Sequence, residues 1–254
     1  MLAILRVFLL ALAVIIISIA ACLVSFIRPF HRNNVYLSAK YMGKVAYLLG
    51  LTVEIRIDES IKKVAPVVYI ANHQNSFDMF TVSSAVQPNT VSVGKKSLKW
   101  IPFFGQMYWL TGNILIDRNN TNKAMGTIEQ TAKKIKDKKL SVWLFPEGTR
   151  SNGRGLLRFK TGAFRTAIQA DVPIVPICAS NLCNVIKLNR WNNGKVIIEF
   201  LPPIDVSGQR KEKLRQIVDE TQALMKAKIQ QLSIEAGTYV PESRENETSI
   251  IKEK

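Results

Sequence analysis

Residues 7–27 carry no charged side chain, and the run is about as long as an α-helix needs to be to cross a hydrocarbon core of roughly 30 Å. A helix that is apolar on every side has to be hidden from water, in a core or in lipid. Whatever the remaining residues fold into therefore begins with a membrane-associated helical segment. Arg6 ahead of the run also fits a secretory signal, and Ile19-Ala20-Ala21-Cys22 resembles a lipoprotein cleavage box. Against cleavage, the apolar run continues through Leu23, Val24, Phe26 and Ile27 instead of yielding to polar sequence, which favours a retained anchor. Arg28, Arg32, Lys40 and Lys44 follow it and outnumber Arg6 and the terminal amine, so the positive-inside bias places the main domain in the cytoplasm. A helix embedded in one leaflet satisfies the same sequence as one that spans.

Residues 35–49 set Val35, Tyr36, Ala39, Met42, Ala46 and Leu49 along one helical stripe, with Lys40 and Lys44 on another side and Gly50 as a stop. Such a helix packs on a core or lies among lipid headgroups, and the pattern allows both. The first unit is accordingly residues 1–50, an anchor helix plus an amphipathic helix.

The 35 Lys and Arg against 19 Asp and Glu give a net charge of +16, which calls for an anionic partner. No basic helix or aromatic RNA-binding signature accompanies the charge, so a phospholipid membrane is expected and nucleic acid is not. Cys22, Cys178 and Cys183 show neither a disulfide framework nor zinc spacing, and two histidines, His31 and His73, exclude a metal site built from several imidazoles.

From residue 51 the chain alternates β-branched runs with helical stretches, the pattern of an α/β domain with a mostly parallel sheet flanked by helices. Strands are predicted at 51–57, 67–71, 90–93, 113–116, 142–145, 174–179 and 196–201, and helices at 76–86, 122–136, 161–170 and 207–232. No linker divides residues 51–240, which read as one catalytic domain, and the charged tail 241–254 is expected to be disordered.

Polar residues at the carboxyl ends of such strands are where ligand sites form. His73 ends the second strand and Asp78 falls in the first turn of the helix after it, close enough for a carboxylate to fold back and orient an imidazole base. A lone histidine in that place more often satisfies helix backbone. The neighbouring strand ends shift the balance: Gly94-Lys95-Lys96, Asp117-Arg118 and Pro146-Glu147-Gly148-Thr149-Arg150-Ser151 put cations and turn residues along the same edge. Arg150, with Lys95 second, suits a phosphate, because a guanidinium grips two oxygens while turn N–H groups complete the cradle. Lys96, Arg154, Arg158 and Lys160 read as surface charge, and Glu147 as either a structural group or an acceptor for a substrate hydroxyl. The aromatic run 100–110, broken by Pro102 and Gly105, is no regular strand, and it fits a bilayer contact, an acyl-chain pocket or ordinary core.

Taken in order, these residues resemble those of the glycerolipid acyltransferases. The likeness rests on Asn72-His73-Gln74-Asn75-Ser76-Phe77-Asp78, similar to that family's His-x-x-x-x-Asp motif; on Gly94-Lys95 through Pro102-Phe103-Phe104-Gly105; on Phe145-Pro146-Glu147-Gly148-Thr149-Arg150-Ser151; and on Val172-Pro173-Ile174-Val175-Pro176. The resemblance implies that His73 is the general base and Asp78 its orienting partner. It implies that Lys95, Glu147, Gly148, Thr149 and Arg150 belong to a glycerol-phosphate site, and it associates Val172 to Pro176 with donor binding or packing.

It further implies transfer of a fatty acyl group from an acyl carrier protein or coenzyme A thioester to the sn-2 hydroxyl of 1-acylglycerol 3-phosphate (lysophosphatidic acid), forming phosphatidic acid in phospholipid biosynthesis. The thioester is a co-substrate, with no further cofactor and no metal, and the setting is the bacterial inner membrane with the catalytic domain facing the cytoplasm. No Gly-x-Ser-x-Gly elbow is present and Cys22 lies in the apolar run, so direct transfer is expected over a covalent acyl-enzyme. Glycerol 3-phosphate or another lysophospholipid as acceptor, and a non-catalytic basic membrane adaptor, are the competing readings.

Overall fold

The computed structural model describes residues 1–117, 121–206 and 213–239. Its centre is a seven-stranded sheet of β1 (Leu51–Arg56), β2 (Val68–Ala71), β3 (Thr90–Lys95), β4 (Ile114–Ile116), β5 (Ser141–Leu144), β6 (Ile174–Ala179) and β7 (Gly194–Phe200), in the order β1-β7-β6-β2-β5-β3-β4. Only β6 and β7 pair antiparallel; the other neighbours run parallel. The expected mostly parallel sheet is present, and each of the predicted strands overlaps one of these.

Both faces of the sheet are covered, which is why β2 and β6 are buried at every position and read as unbroken apolar runs. Val68, Ile70, Ile174 and Cys178 point into one core, closed by α6 (Thr121–Lys138), α7 (Gly162–Ala170) and α8 (Leu214–Glu235). Tyr69, Ala71, Val175 and Ile177 point into the other. That second core is closed by α1 (Leu2–Ile27), α2 (Asn34–Lys44), the 3-10 turn Val45–Leu49, the short α3 (Glu59–Lys63) and α4 (Asp78–Thr81), and α5 (Phe104–Leu110). The block Val172 to Pro176 belongs to this packing: Ile174 and Val175 are fully buried where β6 begins, at the opposite edge from the turn that follows β2.

Several boundaries differ from expectation for identifiable reasons. The helix predicted from Ser76 begins at Asp78 and tightens at Val82–Ala85 into a 3-10 turn. Ser76 is not its cap; the Asn75 side chain accepts the Phe77 N–H at 2.8 Å instead. The aromatic run folds as the 3-10 turn Lys96–Trp100 followed by α5, a helix not foreseen from its sequence. Gly105 permits that corner, since a Cβ there would sit 2.4 Å from the Lys99 carbonyl oxygen. The stripe on residues 35–49 packs inward, with Met42, Ala46 and Leu49 buried, and the helix stops at Gly50 with φ 68°. Residues 207–212, where the last helix was predicted to start, Arg118, and the tail 241–254 lie outside the described residues.

α1 is long and apolar enough to cross a membrane. It is nevertheless fastened to the catalytic unit at both ends. Near its start the Arg6 guanidinium is buried and donates to the carbonyls of Leu188 (3.1 Å), Trp191 (2.9 Å) and Arg190, in the loop that leads into β7. Beyond its end, Phe30 N–H donates to the Leu110 carbonyl at 3.3 Å, and the Phe30 ring meets Trp109 edge to face. α1 thus runs from the β1/β7 side of the sheet to α5, which connects β3 and β4 on the other side. Leu10 and Ser18 face the protein, while Phe8, Ile16, Leu23 and Phe26 remain exposed along its outer face.

Candidate active site

The turn after β2 is braced before it does any chemistry. Extended backbone sends alternate side chains to opposite sides, and here Asn72 and Gln74 turn inward while His73 turns out. The Asn72 amide donates to the Ala179 carbonyl (3.0 Å) and accepts from its N–H (2.9 Å). The Gln74 amide donates to the Ser180 carbonyl (2.8 Å) and accepts from the Leu182 N–H (2.7 Å). Both amides are buried and bonded through their NH2 and carbonyl ends alike, so they fix the turn to the end of β6.

Asp78 then folds back under the ring. Its Oδ2 lies 2.7 Å from His73 Nδ1 and also accepts the N–H of Gln74 (2.6 Å) and Asn75 (3.2 Å). A carboxylate that accepts from two backbone N–H groups leaves Nδ1 to be the donor, which makes Nε2 the ring's proton acceptor. Asp78 is buried, whereas a quarter of the His73 side chain is open. Asp78 Oδ1 is buried with no hydrogen-bond partner among the described residues. The Phe145 ring stacks on the imidazole at 4.1 Å, with the planes 17° apart, and sets the ring's orientation from the side.

The turn after β5 packs directly against this one. Ser151 N–H donates to the His73 carbonyl and Asn152 N–H to the Gln74 carbonyl, both at 2.8 Å. Glu147 closes the seam from within: Oε1 accepts the His73 N–H at 2.6 Å and Oε2 the Leu157 N–H at 2.9 Å. Its carboxyl group is 3% exposed, and burial pushes its pKa up to about 7 although both N–H bonds favour the charged form. The carboxylate therefore braces the backbone of His73 from behind. Gly148, with φ 71°, makes the turn, and Thr149 and Arg150 stand exposed on it. Arg150 Nη1 donates to Ser76 Oγ, which brings the guanidinium onto the His73 turn. Lys95 is the exposed last residue of β3, on the same edge but with no described contact to the His73 cluster.

Two cavities flank the pair, and Phe145 is a wall of each. One, of about 170 Å3, lies toward α2, α4 and α5; His73 and Asp78 open into it, and Met42, Val82, Phe104 and Met107 make it apolar. The aromatic run is thus divided: Phe104, Met107 and Tyr108 line this cavity, whereas Trp100, Phe103 and Trp109 are exposed, Phe103 beside α1. The other, of about 260 Å3, lies toward α6 and α7 and has Lys160 and Arg165 in its lining. The bracing residues Asn72, Gln74 and Phe145 went unassigned in the sequence. Their only signal was two amides flanking a histidine at the end of an apolar strand, too common a pattern to name a role.

A buried carboxylate orienting an imidazole whose free nitrogen faces an apolar cavity suits proton transfer in acyl chemistry. Residues 52–180 match the family model described as acyltransferase, and the chain belongs to that family. It is an acyltransferase enzyme. Among curated relatives, a 1-acyl-sn-glycerol-3-phosphate acyltransferase of Haemophilus influenzae is 51% identical over 235 residues, 92% of this chain and 98% of that one. The enzyme of the same name from Escherichia coli is 51% identical over 227 residues, covering 88% and 93%. The crystal structure of the 1-acyl-sn-glycerophosphate acyltransferase of Thermotoga maritima superposes with a TM-score of 0.72 at 24% identity, covering 91% of this chain and 94% of that one, a likeness of fold.

Proposed function

We propose that the chain transfers a fatty acyl group from an acyl carrier protein or coenzyme A thioester to the sn-2 hydroxyl of 1-acylglycerol 3-phosphate, releasing phosphatidic acid and the free thiol. His73 Nε2 takes the hydroxyl proton as that oxygen bonds to the thioester carbonyl carbon. The carbon–sulfur bond then breaks, and the imidazolium returns its proton to the departing sulfur. Asp78 holds the tautomer and stabilises the transient cation. Arg150 grips the acceptor phosphate with Gly148 and Thr149 shaping the turn beside it, Lys95 supplies a second charge from β3, and Glu147 keeps the turn in place. The apolar cavity beside His73 takes an acyl chain.

The observation that carries this reading is the 2.7 Å contact between His73 Nδ1 and Asp78 Oδ2, at the mouth of an apolar cavity with Arg150 tied to the same turn. Relatives that bear the name 1-acyl-sn-glycerol-3-phosphate acyltransferase over nearly their whole length support the choice of acceptor. For the setting, the docking of both ends of α1 onto one domain supports a helix held in a single leaflet of the inner membrane, on the cytoplasmic side.

The test is thiol release and phosphatidic acid formation by protein in phospholipid vesicles, with 1-acylglycerol 3-phosphate and glycerol 3-phosphate offered in turn. Only the first is expected to be acylated, and His73→Ala should lower kcat by about a hundredfold or more. A folded His73→Ala protein within a few fold of wild type removes the general base from the mechanism. Preference for glycerol 3-phosphate reassigns the acceptor.

A further inference from the structure

The apolar cavity accounts for an acyl chain, and the turn bearing Arg150 for a glycerol phosphate, but the acyl donor brings a third part with its own chemistry. Both thioester donors carry the acyl group on a 4′-phosphopantetheine arm: a flexible chain with two amides, a thioester at one end and a phosphate at the other. Its phosphate needs cations, its amides need hydrogen-bonding groups along an otherwise apolar channel, and its thioester has to end at His73.

The cavity on the α6 and α7 side of the sheet offers the cations and the polar groups, and it stops one ring short of the base. It adjoins the catalytic base through one ring, since Phe145 lines it and stacks on His73 at 4.1 Å. Ile116, Ile128 and Leu144 make its wall apolar, while Gly148, Thr161 and Thr166 bring polar groups to the same surface. Two cations stand in its lining. Lys160 lies along the Pro146 to Gly148 turn: its N–H donates to the Pro146 carbonyl at 2.8 Å, and a Cβ on Gly148 would meet the Lys160 Nζ at 3.0 Å. Arg165 points from α7, with its Nη1 3.8 Å from Met125 Sδ. Both side chains are exposed, and no carboxylate pairs with either among the described residues.

Position gives the second argument. α1, α5 and the exposed Trp100, Phe103 and Trp109 lie on the face of the sheet that holds the apolar cavity, so a lipid acceptor arrives there. A soluble donor approaching from the other face meets this second cavity, which Phe145 alone separates from the histidine.

We infer that the cavity between α6, α7 and the turn after β5 binds the 4′-phosphopantetheine arm of the acyl donor, with its phosphate held by Lys160 and Arg165. The inference rests on the thioester-dependent transfer proposed above. Four donors with one acyl chain separate its parts: acyl carrier protein, coenzyme A, 4′-phosphopantetheine and pantetheine, the last lacking the phosphate. Each is assayed with wild type, Lys160→Ala and Arg165→Ala in vesicles containing 1-acylglycerol 3-phosphate.

Removal of either cation should raise KM for the three phosphate-bearing donors about tenfold, the loss of one charge-assisted hydrogen bond. The advantage of acyl-4′-phosphopantetheine over acyl-pantetheine should collapse, while KM for the acceptor stays within about twofold. A rise in the acceptor KM instead would mean that the cations hold the acceptor's phosphate, and would overturn the assignment. So would equal losses with acyl-pantetheine, no change with any donor, or an effect confined to acyl carrier protein, which would mean that the cations touch the carrier's surface. If wild type acylates nothing from any thioester, it is the proposed function that fails, a different result from active enzyme with indifferent variants.

Discussion

Glu147 and Arg150 sit three residues apart on one turn and act at different places. Both Glu147 oxygens accept from the N–H groups of His73 and Leu157, so its influence runs through the backbone of His73. Glu147→Gln keeps one acceptor but sets an NH2 group against the other N–H, leaving a buried donor unsatisfied at about 1–3 kcal/mol. The expected result is a kcat about tenfold to a hundredfold lower with both KM values little changed; a selective rise in the lysophosphatidate KM would put the carboxylate on the substrate. Because burial lifts Glu147 from 4.5 to about 7, its folded pKa lies above the unfolded one. Its contribution to stability is therefore complete below about 4.5 and is lost as the pH rises through about 7, with a slope of at most about 1.4 kcal/mol per pH unit. Denaturant midpoints across that window should fall for wild type relative to Glu147→Gln, which lacks the titrating group. Arg150 is exposed, and its guanidinium is hydrogen-bonded among the described residues to a hydroxyl alone, so Arg150→Ala should instead raise the lysophosphatidate KM by about tenfold and leave the donor KM alone. Equal effects on both substrates would make it a structural arginine.

At the scale of elements, legibility followed the range of the forces involved. β2 and β6 were readable because burial on both faces forces continuous apolar sequence, and the other strands because β-branched residues recur within each segment. The His73 and Asp78 pair was readable because its five-residue spacing closes within one turn. The helix α5 was not, because its corner depends on Gly105 leaving no room for a Cβ beside the Lys99 carbonyl, a close approach that the aromatic sequence around it conceals. Nor was the role of Arg6, which reads as an ordinary cation ahead of an apolar helix. Its partners are the carbonyls of Leu188, Arg190 and Trp191, groups that every residue carries and that no sequence pattern marks. Arg6→Ala removes the guanidinium from those carbonyls, leaving Arg190's with the longer bond from Asn193, and removes the contact with the Trp191 ring. Amide exchange in residues 187–194 should quicken by about tenfold or more, as the loop loses a charge-assisted tie. Unchanged exchange there would show that α1 does not hold the loop.

Across the whole molecule, the position of α1 decides how the enzyme meets its substrate. A 26-residue helix is about 39 Å long at 1.5 Å per residue, and six strand spacings of about 4.8 Å make the sheet about 29 Å wide. The helix is therefore long enough to reach across the whole sheet, and because one domain holds both its ends, a spanning orientation would carry the β1/β7 side of a water-facing sheet through the bilayer with it. Two tryptophans mark the ends. Trp191 lies under Arg6 near the start of α1, and Trp109 packs on Phe30 just past its end. Both are more than half exposed, so each reports its own depth. In variants that retain one of them, with the other tryptophans replaced by phenylalanine, a helix lying in one leaflet places both at similar depth. Lipids brominated at the same shallow position should then quench the two about equally, and an aqueous quencher added outside vesicles should reach both or neither. A spanning helix instead separates them by about 30 Å across the hydrocarbon, so that an outside quencher reaches only one. Similar depth would put the mouth of the apolar cavity level with the headgroups, where a lysophospholipid can present its hydroxyl to His73 without leaving the membrane.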